Sequence, residues 1–268
     1  MKAVILARGL GTRMRQADDR AVVDQSQAAI ADQGIKAMIP IGRPFLDYVL
    51  SALADAECND VCLVIGPEHS TVRQYYQQPG LLSRVSVSFA IQEKPIGTAD
   101  AVLAAERFVS GDRFLVMNAD NYYPVAGFAA LRDLHEPGLI AFGRDALIAD
   151  GLIPAERITR FALLDIDNDG YLRRIVEKPD AETARAMSGT AFVSMNVWAF
   201  DESIFEPCRT VPASSRGELE IPVAVQHAID NYGVRFRAVP MHASVLDLSS
   251  RGDIAGVAKQ LEMVDVRL

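Results

Sequence analysis

The chain opens on KAVILARGLGTRMR, Lys2 to Arg15, and no other stretch restricts its fold so tightly. Ala3 to Ala7 is a short apolar run rich in β-formers, long enough for a buried parallel strand and too short for a core helix. It runs into Arg8-Gly9-Leu10-Gly11-Thr12-Arg13, where two glycines let the backbone approach a ligand closely and aim successive N–H groups at one anion. Arg13 adds a permanent, fork-shaped cation where a polyphosphate would lie. Such a strand and glycine turn make a phosphate-handling device; the bland alternative is a glycine-rich turn with no ligand.

Two familiar phosphate motifs fail on the letters. The dinucleotide fingerprint G-x-G-x-x-G needs a third glycine where Met14 stands, and no acidic residue ends a second strand where the ribose contact belongs. No GK[ST] follows, which removes the P-loop. What remains is LxxGxGTRM, Leu6 to Met14, which resembles the signature loop of the sugar-1-phosphate nucleotidyltransferases. That family includes glucose-1-phosphate thymidylyl- and uridylyltransferases and mannose-1-phosphate guanylyltransferases.

Composition narrows the class further. The 268 residues suffice for one large α/β domain or two small ones, and 50% hydrophobic with 23% charged residues describes a globular chain. No apolar run reaches the roughly 18 residues of a membrane span and no signal-peptide pattern opens the chain, so a cytoplasmic protein without a membrane partner is expected. A net charge of −8 argues against a nucleic-acid surface, so phosphate binding must rest on a few placed cations and a metal. Cys58, Cys62 and Cys208 form no CxxC pair and read as buried free thiols.

The alanine-rich piece Gln16 to Gly34 separates the glycine loop from Lys36 and is expected to be a rim element that orders when nucleotide binds. Lys36 to Pro44, KAMIPIGRP, resembles the family's KPMxPIxGKP segment, in which the lysine reaches phosphate. A helix over Phe45 to Ala56 leads to a strand at Asp60 to Ile65, the alternation of a parallel sheet. A strand at Val85 to Ile91 then delivers Gln92, followed by Pro95, Gly97 and Thr98 at the start of a helix. Gln92 can present both a donor and an acceptor to a base edge. In similar enzymes this segment cups the nucleobase.

Phe114 to Met117 reads as a buried strand ending in Asn118-Ala119-Asp120, and a carboxylate at such a strand end sits where open α/β sheets place ligands. Asp120 resembles the family's GD motif and suits Mg²⁺. Leu139 to Gly143 is a further strand, with Gly143 beside the sugar. Asp165 to Gly170 imitates half a calcium loop, but Val176 stands where the bidentate glutamate belongs, so a hairpin turn is expected. The hairpin delivers Glu177-Lys178-Pro179, resembling the family's VEKP motif, with the glutamate on sugar hydroxyls and the lysine on phosphate. Phe192 to Phe200 is a strand carrying Asn196, which is expected to touch sugar, and Trp198, which is expected in the core. Arg216-Gly-Glu218-Leu-Glu220-Ile resembles the RGELEIT segment beside the sugar, and Val245 to Ile254 resembles the WxDxGTPxDL ending, in which Asp247 is the second metal carboxylate. No hexapeptide repeats are present, so no β-helical acyltransferase domain is expected to follow.

The fold implied is α/β: a three-layer α/β/α, Rossmann-like domain with a mixed, mainly parallel sheet, like the nucleotide-diphospho-sugar transferases. It would comprise a nucleotide-binding half at about 1–137, a sugar-binding lobe at about 138–245, and a closing metal motif and helix at 246–268. The resemblance implies Mg²⁺-dependent joining of a nucleoside triphosphate and a sugar-1-phosphate into a nucleotide sugar and pyrophosphate. Arg13, Lys36, Asp120 and Asp247 would be catalytic, the two aspartates as metal ligands. Leu6, Ala7, Arg8, Gly9, Gly11, Thr12, Gln92, Pro95, Gly97 and Thr98 would bind nucleotide. Gly143, Glu177, Lys178, Asn196 and Glu218 would bind the sugar phosphate. Arg8 departs from the small residue of similar proteins, and either reads a guanine or cytosine acceptor, reaches a phosphate, or lies outward over the rim. A non-catalytic nucleotide-sugar-binding regulatory subunit is the alternative, and homo-oligomerisation stays open. Neither sugar nor base can be named from the letters.

Overall fold

A computed structural model of the chain describes residues 1–149, 153–187, 191–214 and 216–268. In chain order the first strands are β1 (Lys2–Leu6), the small hairpin of β2 (Pro40–Ile41) and β3 (Arg43–Pro44), β4 (Asp60–Ile65), β5 (Ser86–Ile91), β6 (Phe114–Asn118) and β7 (Asn121–Tyr122). They are followed by β8 (Gly138–Gly143), β9 (Ala162–Ile166), β10 (Leu172–Val176), β11 (Phe192–Ser194), β12 (Val197–Phe200), β13 (Arg237–Met241) and β14 (Leu246–Asp247).

Ten of these form one mixed sheet in the order β10-β9-β11-β8-β12-β6-β1-β4-β5, with β13 paired to β8. The run β6-β1-β4-β5 is wholly parallel, and β1 lies at its centre with Leu6 opposite Val64 on one side and Asn118 on the other. Parallel neighbours are joined by helices, such as Phe45–Asp55 between β3 and β4, because a parallel return must cross over the sheet. Beyond β6 the pairings to β12 and of β8 to β11 and β12 turn antiparallel.

The buried residues fall into two clusters, and β1 shows why. Ala3, Ile5 and Ala7 pack into one and Val4 and Leu6 into the other, the period-two alternation of a strand covered on both faces. This is the three-layer arrangement implied by the sequence. Trp198 is fully buried and stacks on Phe200 with ring centroids 5.6 Å apart, a core role as expected. Burying a side chain of this size contributes on the order of 1.5–3 kcal/mol.

Several boundaries moved. The strand that enters the expected hairpin turn starts at Ala162, because Ala155–Ile158 forms a short helix whose Ile158 is buried. The single strand expected over Phe192 to Phe200 is broken between β11 and β12, where Asn196 takes φ 57°. Asp165 to Gly170 is a hairpin turn: Asp167 Oδ1 accepts from the N–H groups of Asp169 and Tyr171 at 3.0 and 2.8 Å, and Gly170 has φ 81°. Among the described residues no helix is long and apolar enough to cross a membrane.

Candidate functional site

The carboxyl ends of β1, β5 and β6 converge on one cleft of about 410 Å³. The glycine loop forms its floor. Gly11 has φ 60°, and a Cβ there would lie 2.2 Å from the Gly34 carbonyl oxygen, so both backbone angle and space demand glycine. Gly9 differs: a Cβ would meet nothing within 4 Å, so the fold leaves that face open for a ligand. Met14 is fully buried and anchors the short helix Thr12–Arg15 that follows the loop.

The segment Gln16 to Gly34 reaches the back of the glycine loop through its last residues. Its helix Gln25–Gln33 starts with Asp24 capping Ser26 and Gln27, and ends on Gly34 against Gly11. Arg15 donates to the Gln33 carbonyl at 2.8 Å, and Arg251 bridges Met14 O and Asp32, so the segment is clamped behind the loop.

Arg13 is exposed and lines the cleft without any hydrogen bond or ion pair among the described residues. Lys36, on the single turn Lys36–Met38, reaches Asp120 Oδ2 at 2.8 Å. β14 pairs with β7 so that Asp247 stands opposite Asn121, and Leu248 N donates to Asp120 O at 2.8 Å. The two aspartates are thereby neighbours, as expected. Their standing differs: Asp120 lines the cleft, whereas Asp247 is 7% exposed and lies behind it. Asp247 accepts from Ser249, Asn121 and Arg157, and its carboxyl is pushed up to about 6, first by burial and then by the charge of Asp120. Two like charges pressed together with oxygen-only donors fit a hard divalent cation. Among the described residues no group of three or more His, Cys, Asp or Glu could hold one, so its shell would be completed by substrate oxygens and water.

Leu6, Ala7, Arg8, Gly9, Gly11 and Thr12 line the cleft together with Gln92, Pro95, Gly97 and Thr98. Two side chains are more committed than expected. Gln92 Nε2 donates to Gly97 O at 2.9 Å and Asp100 Oδ2 at 2.8 Å, which fixes the turn and commits the amide nitrogen to the protein. Thr98 Oγ1 accepts from Ile221 N at 2.9 Å. Arg8 neither points outward nor stands clear to read a base. Its side chain is 8% exposed, donates to the Gln92 carbonyl oxygen, and lies 3.3 Å from the Glu68 carboxylate, tying the end of β1 to that of β5.

Gly97 has φ 133° and a Cβ there would strike Leu219 O at 2.2 Å, while Leu219 N donates to Ile96 O at 2.8 Å. This contact carries Arg216, Glu218 and Glu220 into the cleft beside Glu177 and Lys178. Arg216 pairs with Glu220 and, at 3.2 Å, with Glu218; Lys178 Nζ lies 3.4 Å from Glu177 Oε1. Burial raises the Glu177 carboxyl against the opposing pull of Lys178. Lys178 adopts φ 44°, an unfavourable angle for a side-chain-bearing residue, and Asn196 Oδ1 is buried with no partner in the protein. Both residues line the cleft.

Gly143 does not belong to this site. It is buried, outside the cleft lining, and a Cβ there would meet His242 Nδ1 at 2.6 Å, because β13 runs parallel to β8 and lays its following residue over Gly143. The sequence reading also missed lining residues. Arg216 and Glu220 lay within a motif already singled out, and Asn118 stands two positions before Asp120. Arg157 had no sequence signal at all.

The chain matches the family model described as "Nucleotidyl transferase" over residues 2–239. It is 31% identical over 243 residues to a glucose-1-phosphate thymidylyltransferase of Streptomyces antibioticus, covering 86% of this chain and 58% of that protein. It is 26% identical to the low-salt glycan biosynthesis nucleotidyltransferase Agl11 of Haloferax volcanii, covering 87% and 59%. The chain thus spans a little under three fifths of the length of these relatives. In fold it is similar to a UDP-glucose pyrophosphorylase complexed with UDP-glucose, with a TM-score of 0.76 at 17% identity over 97% of this chain and 98% of that one. It is also similar to a putative glucose-1-phosphate thymidylyltransferase from Bacillus anthracis, with a TM-score of 0.73 at 20% identity over 100% and 97%. With an ordered series of motifs gathered in one cleft and a match along most of its length, the chain belongs to the nucleotidyl transferase family.

Proposed function

We propose that the protein joins a nucleoside triphosphate to a sugar-1-phosphate, releasing pyrophosphate and a nucleotide sugar. One observation carries this reading: a single cleft is lined by four cations, Arg13, Lys36, Lys178 and Arg216, with Glu177 beside Lys178 and Glu218 beside Arg216. Two anionic substrates repel each other unless each is neutralised, and several cations lining one cleft do this.

A sugar-phosphate oxygen would attack the α-phosphorus while the bond to the β-phosphate breaks, and the electron pair leaves on pyrophosphate. No general base is required, because a phosphate monoester is already ionised near pH 7. Arg13 and Lys36 steady the triphosphate and the charge that grows on the leaving group, and Lys178 holds the attacking phosphate. Glu177 and Asn196 Oδ1 accept from sugar hydroxyls, while Gln92 and the glycine loop seat the base. Mg²⁺ held by Asp120, with Asp247 behind it, would supply Lewis-acid polarisation and charge neutralisation of the phosphates. Most of the acceleration then comes from positioning and electrostatics.

The test is a screen of the four common nucleoside triphosphates and dTTP against sugar-1-phosphates and a few polyol and cyclitol phosphates, with pyrophosphate release measured with and without Mg²⁺. Release from no pair would exclude the catalytic reading and leave the regulatory subunit that the sequence also allows.

A further inference from the structure

The acid behind the cleft is already occupied. Ser249 Oγ lies 2.9 Å from both oxygens of Asp247, Asn121 Nδ2 donates to Oδ1 at 3.3 Å, and Arg157 Nη1 donates to Oδ2 at 3.3 Å. A carboxylate has about four acceptor sites, and Ser249 has one proton to give, so three donors leave little room for a metal.

Arg157 has a second hold. Its Nη2 donates to Asp253 Oδ1 at 2.9 Å, shorter than its bond to Asp247. Asp253 is itself fixed, its Oδ2 accepting from Ser250 N and Oγ at 2.7 and 2.8 Å. The guanidinium can therefore release Asp247 and keep its place on Asp253.

Charge gives this exchange a purpose. Lys36 neutralises Asp120 and Arg157 neutralises Asp247, so the neighbouring acids each carry their own cation. A divalent ion arriving there gains little attraction until one of the two moves away. Lys36 is needed at the triphosphate, whereas Arg157 lies outside the cleft lining.

We propose that Arg157 is a positioning residue that competes with a divalent cation for Asp247 and withdraws onto Asp253 when the cation binds. The inference rests on the proposed function for the metal's purpose, but the competition it describes is read from cation binding alone, without substrates.

The test is Mn²⁺ titration of the full chain without substrates, with unbound Mn²⁺ read from its electron paramagnetic resonance signal. Arg157→Met is expected to bind Mn²⁺ about tenfold more tightly than wild type, and Arg157→Lys, which keeps the charge, to stay within about threefold of it. If Arg157 only braces the fold, its loss loosens Asp247 and binding weakens or stays level. Either result overturns the inference, as does the absence of Mn²⁺ binding by both proteins. Thermal unfolding checks that Arg157→Met is folded; if it is not, Arg157→Gln carries the same expectation. Pyrophosphate release is scored separately. An active wild type whose Arg157 variants bind Mn²⁺ no better refutes this inference alone, while inactivity with every substrate pair refutes the function and leaves the titration to be judged by itself.

Discussion

Lys36 Nζ and Asp120 Oδ2 meet at 2.8 Å across 84 positions of sequence, joining the turn after the glycine loop to the end of β6. In the proposed function the lysine serves the triphosphate from beside this acid, so the pair fixes where its charge stands. Asp120→Asn keeps the shape and removes the charge, and kcat is expected to fall by at least about 100-fold, the scale of losing one electrostatic element. Pyrophosphate release under saturating substrates measures it, and turnover like that of wild type would remove Asp120 from the mechanism.

Asp247 should show the opposite effects on stability and activity. Its carboxyl titrates at about 6 rather than near 4, so the folded protein holds the proton more tightly than the unfolded chain. The stabilisation from that proton is complete below the unfolded value and is lost as pH rises through about 6. Asp247→Asn, which cannot ionise, is expected to be more stable than wild type at pH 8, by up to about 3 kcal/mol, and to lose that advantage near pH 4. Urea unfolding at the two pH values checks the sign, and turnover is expected to fall.

The glycines of the first loop should separate by role. Gly11→Ala forces a Cβ to 2.2 Å from the Gly34 carbonyl oxygen at a φ of 60°, and is expected to cost more than about 2 kcal/mol of stability. Gly9→Ala meets no atom of the protein, so its melting temperature should match wild type while KM for the triphosphate rises about tenfold or more. Calorimetry and steady-state kinetics on the two variants give this contrast directly.

Glu177 makes the acid side of the pH profile informative. Burial lifts its carboxyl above the ordinary range, so it takes up a proton earlier than an exposed glutamate as pH falls. In the proposed function a protonated Glu177 would accept fewer hydrogen bonds from sugar hydroxyls, and Lys178 would keep only Glu220, 4.0 Å away, as an acid partner. KM for the sugar phosphate is therefore expected to rise on acidification in wild type, and to be high and nearly flat with pH in Glu177→Gln.

The amino-acid sequence by itself determined which residues alternate between the faces of β1, that Val176 lacks the carboxylate of a calcium loop, and the order of the motifs from the glycine loop to Asp247. These follow from local chemistry: side-chain period, turn residues, and charge at strand ends. Only the tertiary structure decided which of those residues share a cleft. Gly143 was displaced because β13 pairs with β8 and brings His242 over it, a pairing set by residues about a hundred positions away. Arg8 was turned inward by Glu68 and the Gln92 carbonyl, and Arg157 was brought to Asp247 from a helix that carries no motif. Hydrogen bonds and ion pairs of this kind form between groups that meet only after the sheet has assembled, so their partners leave no periodicity or spacing in the letters.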